Sequence, residues 1–421
     1  MSRLRLATGA AVAGVVLALL TVGMLAVPAF AEDHNAGPEL EENQSIPFAP
    51  PDFESTERLV LAGDDPTTAE ASPSVDPGLA TSNEFNHLKS DWESTRFTNK
   101  LDNEPTSDGK VDILEGSVAD LQADVVELNE AEQTAYREFE EGTIDAEEFL
   151  ARLAVIEQRA LLLNERFEEV RDASRGITSP VVQDNVTSLQ ASVGWLQLET
   201  ETMEGPLRNK AWQSIAGELT DPVPISVTAT RDGYVLAATD DVLYTRELYH
   251  AGNHDRASGG FLSTEEGGER IALLYPWTHT ESFEQDPRVR GDIFRDILTH
   301  PHGTTTIYFS GATELPYREI HEIDLAAVPT ITATTVEEGD VVVSVERTYA
   351  GGPAQIVVTT PTGEPIPDAT VQIDGQADRL TDESGSVWLA TTGTELSAAV
   401  RVDGETVVVT TGLPVGGPPD G

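Results

Sequence analysis

Between residues 111 and 172, apolar side chains recur at alternating gaps of three and four. The first run is Val111, Leu114, Val118, Leu121, Val125, Leu128, Ala135 and Phe139, and Glu132 interrupts it at one slot. The second run is Phe149, Leu153, Ile156, Ala160, Leu163, Phe167 and Val170. This spacing holds one apolar stripe along one side of each of two helices. Glu141-Gly142-Thr143-Ile144-Asp145 separates them. Gly142 suits the left-handed residue that closes a helix. Asp145 caps the next, Glu148 is spaced to complete a capping box, and Ile144 with Phe149 sits where a hydrophobic staple forms. Two long helices with so short a connection must fold back antiparallel.

Further helices flank this hairpin. Residues 79–101 form one, with Leu88, Trp92 and Phe97 as its apolar side. Residues 179–203 form another, capped by Ser179, with Pro180 at the first helical position and Val182, Val186, Leu189, Val193 and Leu196 as its stripe. Gly205-Pro206 opens a shorter helix that ends near Gly217 and turns Leu207, Ala211 and Ile215 inward. Residues 79–219 are therefore expected to form an antiparallel helical bundle.

The pattern changes after residue 220. Residues 224–230 alternate like a strand, Arg231-Asp232-Gly233 turns, residues 234–238 return, and Asp240-Asp241 turns again into residues 242–250. Ser263-Thr264-Glu265-Glu266 is a capping box opening a helix that reaches Leu274. Asp286-Pro287 is expected to open another helix, burying Val289, Ile293, Phe294 and Ile297, before a strand over residues 304–309. Residues 221–328 thus predict a small α+β domain. Residues 329–412 are all-β: short valine- and threonine-rich runs alternate with turns such as Gly351-Gly352, Asp374-Gly375 and Asp403-Gly404. About seven strands at that spacing predict an Ig-like β-sandwich. The fold class is multidomain, α plus β.

At the start, Arg3 and Arg5 precede a run without charge, residues 6–31, ending in Ala29-Phe30-Ala31. Residues 1–31 are expected to be a signal peptide or, uncut, a membrane anchor. Either places the remainder outside the cytoplasm. Residues 32–78 are expected to be a mostly disordered acidic linker with a short strand at 56–62, and residues 413–421 a disordered tail. Asn43 and Asn185 each begin a glycosylation sequon.

Net charge is −47, from 73 acidic and 26 basic residues. Only Lys89, Lys100, Lys110 and Lys210 are lysine. An acidic, lysine-poor surface along the whole chain suits molar salt, where self-repulsion is screened over about 3 Å. Nothing in it would neutralise phosphates, so nucleic acid is excluded as a partner. With no cysteine, disulfides, thiolate metal sites and a cysteine nucleophile are excluded too.

Candidate chemistry is sparse. Six of the eight histidines, His250, His254, His279, His300, His302 and His321, lie in the α+β region. His300 and His302 with Asp292 or Glu281 could hold a divalent metal for hydrolysis. Alternatively, they end the helix expected from Pro287, facing its exposed carbonyls. His321-Glu322 starts a zinc-protease pattern, but Leu325 stands where the second histidine belongs. Arg246, Glu247, Asn253, His254, Asp255 and Arg256 form either a ligand site for a sugar or carboxylate, or an ion-paired segment fixing this domain to the helices. No nucleophile elbow, P-loop, dinucleotide fingerprint or EF-hand loop occurs, so no cofactor is expected.

Two resemblances add to this reading. The stretch Gly363-Glu364-Pro365-Ile366-Pro367-Asp368-Ala369-Thr370-Val371, followed by Thr381-Asp382-Glu383-Ser384-Gly385, resembles the carboxypeptidase regulatory-like sandwich, which implies an accessory module without peptidase activity. Gly142 with Glu148-Phe149-Leu150, Gly205-Pro206-Leu207-Arg208, Tyr244-Thr245-Arg246-Glu247, Asn253-His254-Asp255-Arg256 and Tyr275-Pro276-Trp277 resemble an uncharacterised secreted family of haloarchaea. That resemblance implies export and origin but no activity. The expectation is a non-catalytic envelope protein that meets envelope glycans, surface proteins or its own kind, and touches membrane only through an uncut leading segment. The competing expectation is an extracellular metal-dependent hydrolase.

Overall fold

The computed structural model describes Leu59, Leu61 and residues 66–412, apart from 241, 256–259, 261, 350–351, 374–375, 377 and 392–394. All of these belong to one compact unit, Ser45–Gly421. The expected leading segment, the 56–62 strand, Asn43 and the tail lie outside the described residues, except for Leu59 and Leu61.

The order of elements begins with a strand, β1 (Thr67–Ala71). Five helices follow: α1 (Pro77–Asp102), α2 (Ser107–Glu140), α3 (Ala146–Arg175), α4 (Gln183–Glu201) and α5 (Pro206–Ile215). The stripes of α2 and α3 are buried as their spacing requires. Phe139 stacks on Phe149 at 5.2 Å across the turn, and Arg159 reaches Glu127 at 2.9 Å further along. Gly142 takes φ +69. Asp145 accepts from the Glu148 amide at 2.9 Å. The return half of the capping box is replaced, since Glu148 pairs with Arg152 at 2.6 Å.

Two expectations for the helices need correction. The third long helix starts at Gln183, not at Ser179, and Val182 at its N-cap offers no side-chain oxygen. Ser179 instead closes a turn by accepting from the Val182 amide at 3.3 Å. In α1, Phe97 is buried, but Leu88 and Trp92 face outward. The face that α1 packs inward is mostly polar, with Asn83 its other buried residue.

A large antiparallel sheet follows. Its strands are β2 (Ile225–Thr230), β3 (Gly233–Thr239), β4 (Leu243–His250), then, after α6 (Thr264–Leu274) and α7 (Pro276–Glu281), β5 (Glu284–Gln285), β6 (Arg288–Arg290), β7 (Ile293–His300), β8 (Gly303–Ser310) and β9 (Pro316–Asp324). Spatial order is β1-β2-β3-β4-β9-β8-β7-β5, with β6 also on β7. The edge strand β1 comes from ahead of the helices, inside the region expected to be a disordered linker, and pairs Thr67–Ala71 with Ala229–Ile225 of β2.

The helix expected from Pro287 is absent; the stretch is β6, a turn and β7. Gly291 at φ +58 turns the chain, and a Cβ there would lie 2.5 Å from the Trp195 ring. Both faces of β7 are covered, so its side chains lose the polar alternation that marks a half-exposed strand. What is left imitates helical spacing.

One face of the sheet carries the helices. Val227, Ala229, Tyr234, Leu236, Tyr249, Ile293 and Tyr308 share a continuous core with α2–α5. On the opposite face, α6 and α7 cover Phe294, Leu298, Ile307 and Phe309. Leu59 covers Val235 and Leu248. The expected helical and α+β regions are therefore joined by a shared interior.

The remaining strands are β10 (Ile331–Glu338), β11 (Val341–Arg347), β12 (Ala354–Thr359), β13 (Thr370–Ile373), β14 (Arg379–Leu380), β15 (Ser386–Leu389), β16 (Glu395–Val402) and β17 (Glu405–Gly412). They form two four-stranded sheets, β10-β11-β12-β15 and β14-β13-β16-β17, around a core of valine, isoleucine, leucine and alanine. This is an Ig-like sandwich. It docks on the large sheet through Tyr349, Trp388 and Ala390 against Ala237, Tyr244 and Ile323. Gln376 and Arg379 add contacts to Ser226 (3.3 Å) and Glu70 (3.1 Å).

Because Phe149 packs edge-on to Tyr234 of β3 at 5.3 Å, Phe149→Ala removes contacts on both sides of the helix–sheet boundary. It is expected to cost about 3–5 kcal/mol. Helical circular dichroism and aromatic near-ultraviolet signals should move together in urea. Separate transitions would contradict a shared core.

Candidate functional site

Strands β4 and β9 lie side by side, with Tyr249 opposite Arg318 and Arg246 opposite His321. The pleat sends Glu247, Tyr249 and Arg318 to the helix side, and Arg246, Glu319 and His321 to the other. A buried polar network occupies each side.

On the helix side, Glu132 of α2 is the centre. Arg318 donates to both of its carboxylate oxygens, at 3.0 and 2.9 Å. Arg208 of α5 donates at 2.7 Å, and the Tyr234 hydroxyl at 2.5 Å. Arg208 also donates to Tyr234 and to the Met203 carbonyl. The Arg318 guanidinium lies 4.5 Å over the Tyr249 ring. Burial alone would raise the Glu132 pKa, but Arg318 and Arg208 outweigh it and hold the carboxyl down to about 2.

Glu247 extends this network to the start of α5. Its carboxylate accepts from the Leu207 amide at 2.5 Å and lies 3.4 Å from the Arg208 guanidinium. Gly205 at the N-cap has no side chain to do this itself, so Glu247 caps the helix from the sheet. A Cβ at position 205 would fall 2.4 Å from the Glu247 carboxylate. Glu157 of α3 accepts from the Gly205 amide at 3.4 Å. Burial, and next the charge of Glu247, push Glu157 up to about 8. Burial raises Glu247 as well, against the pull of Arg208.

On the other side, His300 and Thr305 are hydrogen-bonded at 3.1 Å, and Thr305 and His321 at 3.2 Å. His321 contacts Glu319 at 3.2 Å. Glu319 also accepts from the Leu59 amide (2.7 and 2.8 Å), Arg246 (3.3 Å) and the Tyr275 hydroxyl. His302 stacks on Trp277 at 4.7 Å, and His300 meets the same ring edge-on at 5.4 Å. Burial, then His321 and His302, push His300 down to about 3, so it is neutral at pH 7. The composition is that of an acid–base relay. Yet Glu319, Thr305, His321 and His300 are each at most 2% exposed, which offers no reacting molecule an approach.

The sequence candidates fall into this geometry unevenly. Arg246 and Glu247 point to opposite faces, so they share no ligand. Asn253 donates to the Pro316 carbonyl at 2.7 Å, and His254 stacks on Tyr317 at 4.0 Å. Asp255 follows half-buried, and Arg256 lies outside the described residues. The segment thus fixes the sheet to its surroundings.

For the metal alternative, His300 and His302 flank the β7–β8 turn, but Asp292 precedes the far end of β7. Eight residues of extended chain separate it from His300, about 26 Å. Asp292 instead accepts from the Trp195 indole at 2.7 Å, and Glu281 is exposed at the end of α7. The expected ligand set is not assembled, and no group of three or more possible metal ligands occurs among the described residues. Asn185 is exposed on α4 beside buried Val186, as its sequon would need. A groove of about 690 Å³ between α1 and α2 is lined by Lys89, Arg96, Lys100, Asp112, Asp120 and Asp124 among others, and by no member of either network.

Glu132, Arg208 and Arg318 were missed as a set. The only trace of it was the acid at position 132 inside an apolar stripe.

Residues 7–220 match a domain of unknown function, DUF7096. The chain belongs to the DUF7096 family. In this member, a second family of unknown function, DUF7094, matches residues 225–329, and an archaeal fibronectin-III type-like domain matches residues 332–409. Searches of the curated proteins and of the solved structures matched nothing. The helix-side network joins the first two regions: Glu132, Glu157 and Arg208 come from the DUF7096 part, and Tyr234, Glu247 and Arg318 from the DUF7094 part.

Two outcomes follow. Arg318→Met leaves Glu132 buried with one fewer cation and is expected to cost about 3–5 kcal/mol in urea unfolding. Glu157 has a folded-state pKa of about 8, above the unfolded value. Its penalty is absent below the unfolded value and grows as pH rises toward 8. Glu157→Gln should therefore raise stability at pH 8 by a few kcal/mol and do little at pH 4, where the native carboxyl is already protonated. Equal gains at both pH values would refute that assignment.

Proposed function

We propose that this chain is an exported, non-catalytic protein of the cell envelope of a halophilic archaeon, a rigid body that spaces and presents surfaces. In this reading the helices form an antiparallel bundle that backs the large sheet, and the fibronectin-type module is carried on the opposite side. The partners are envelope glycans, other surface proteins or further copies of the chain. The leading uncharged segment directs export and is either cut or kept as an anchor.

One observation carries the reading. Arg246, Glu247, His300 and His321, among the polar residues that suggested chemistry, are hydrogen-bonded into buried networks on the two faces of the large sheet. A fibronectin-type module fits a display role, and the match to an archaeal version of it fits the source. The scarcity of lysine among 26 basic residues fits life in high salt. Among the described residues, no helix is long and apolar enough to cross a membrane.

Protease treatment of intact cells should digest the protein while cytoplasmic markers survive. Protein purified in molar salt should carry no stoichiometric metal, and its unfolding temperature should rise with potassium chloride. Protection from protease in whole cells, or stoichiometric zinc lost in His302→Ala, would sink the proposal.

A further inference from the structure

The start of α5 is gripped from two sides by carboxyl groups. Glu247 of β4 accepts from the Leu207 amide at 2.5 Å, and Glu157 of α3 accepts from the Gly205 amide at 3.4 Å through Oε1. Pro206 between them has no N–H to offer. Glu157 is 3% exposed, and its Oε2 has no hydrogen-bond partner among the described residues. An ionised oxygen left so in an interior is costly, whereas a protonated one becomes a donor. Charge balance points the same way. Glu132 and Glu247 are two buried anions, and Arg208 and Arg318 are two buried cations. An anion at position 157 would be a third with no cation to meet it. The charged groups around Glu157 are Glu204 in the loop between α4 and α5, Arg208 of α5 and Glu247 of β4. Behind them stand Glu132 of α2, Tyr234 of β3 and Arg318 of β9. Glu204 accepts from Asn164 of α3, and Glu201 of α4 is bound to Arg295 of β7 at 3.1 Å. Each of these cations is already matched by another carboxylate.

We propose that Glu157 and Glu247 form a one-proton latch: with the proton, α5 is locked between α3 and the large sheet, and without it the loop at residues 202–205 opens. The two carboxyls hold a single proton between them, carried on Glu157 Oε2. Burial and then the Glu247 charge push Glu157 up to about 8, and burial and then Glu201 push Glu204 up to about 7. The latch therefore titrates near neutrality, unlike Glu132, which Arg318 and Arg208 hold at about 2 against burial. Once the loop is open, the Glu157 carboxyl meets water and ionises at its ordinary value of about 4. The closed state binds the extra proton between about pH 4 and pH 8, so closing weakens over that window and levels off above it. Opening reaches beyond the loop, because Arg208 donates both to the Met203 carbonyl within it and to Glu132 of α2, each at 2.7 Å. Proton concentration is thereby coupled to the joint between the helices and the sheet.

Glu157→Gln supplies a permanent N–H where the latch needs its proton, and cannot lose it, so it fixes the closed state at every pH. The chain has no cysteine, and Met203 in the loop is fully buried. Met203→Cys therefore reports opening through its reaction with a thiol reagent. Labelling of the full chain carrying Met203→Cys is compared, at each pH, with that of the chain carrying Met203→Cys and Glu157→Gln, which cancels the pH dependence of the thiol itself. The ratio of the two rates should be near one at about pH 4.5, rise by about tenfold or more by pH 8, and then level off. Helical circular dichroism should stay native throughout. The infrared carbonyl band of a protonated carboxyl should fade as pH passes about 8 in the native chain, and should be weaker from the outset in Glu157→Gln. A ratio that stays flat with pH overturns the proposal. So does loss of the helical signal in step with labelling, since the change would then be global unfolding. Where Met203→Cys does not fold, the infrared comparison decides alone, and a band unchanged by Glu157→Gln refutes the latch.

Discussion

The Glu132 carboxylate, held by Arg318, Arg208 and the Tyr234 hydroxyl, is the interaction on which the rest of the fold depends. It joins side chains from α2, α5, β3 and β9 in an interior where an unpaired charge is intolerable. Two cations around one anion would leave an excess of positive charge, and Glu247 beside Arg208 offsets it. Glu247 in turn caps α5, and α5 needs Gly205 because a larger residue would collide with that carboxylate. Helix start, sheet register and the position of the helices are thereby tied to one another. A one-residue slip of β9 would point Arg318 to the wrong face and take from Glu132 the cation that meets both of its oxygens. Such a network adds specificity more clearly than stability, since well-packed apolar residues could fill the same space.

Much of this fold was legible from spacing, and the parts that were not have physical reasons. The stripes of α2 and α3, the hairpins of β2–β4 and the capping box of α6 follow local rules that tertiary contacts do not disturb. The helix expected from Pro287 failed because β7 is covered on both faces, so burial no longer alternates along it. The strand β9 was overlooked because Arg318, Glu319 and His321 look like surface residues until their partners are in place. Only non-local pairing buries them. Leu88 and Trp92 were assigned to a core because apolar residues at helical spacing normally face one, and α1 turns them outward.

The same limit applies to the candidate site. Arg246 and Glu247 are neighbours in sequence, yet adjacency places strand residues on opposite faces, and each serves a separate network. Phe149, Arg208, Arg246, Glu247, His254, Tyr275 and Trp277 belong to short motifs that stand out in the sequence. All take part in the helix–sheet contacts or in the packing around Glu319 and the histidines.

The position of β1 has a mechanical consequence. It forms the outer strand of the large sheet, though it precedes all the helices in the chain. The chain reaches its five-residue ladder with β2 only after Leu59, whose amide and carbonyl are held by Glu319 and Arg246, and Thr67 of β1 donates to the Glu140 carbonyl at the end of α2 at 2.9 Å. Next to that ladder, Glu70 grips Arg379 of the sandwich. A pull on the chain ahead of β1 would therefore load the sheet, the sandwich and the end of α2 together.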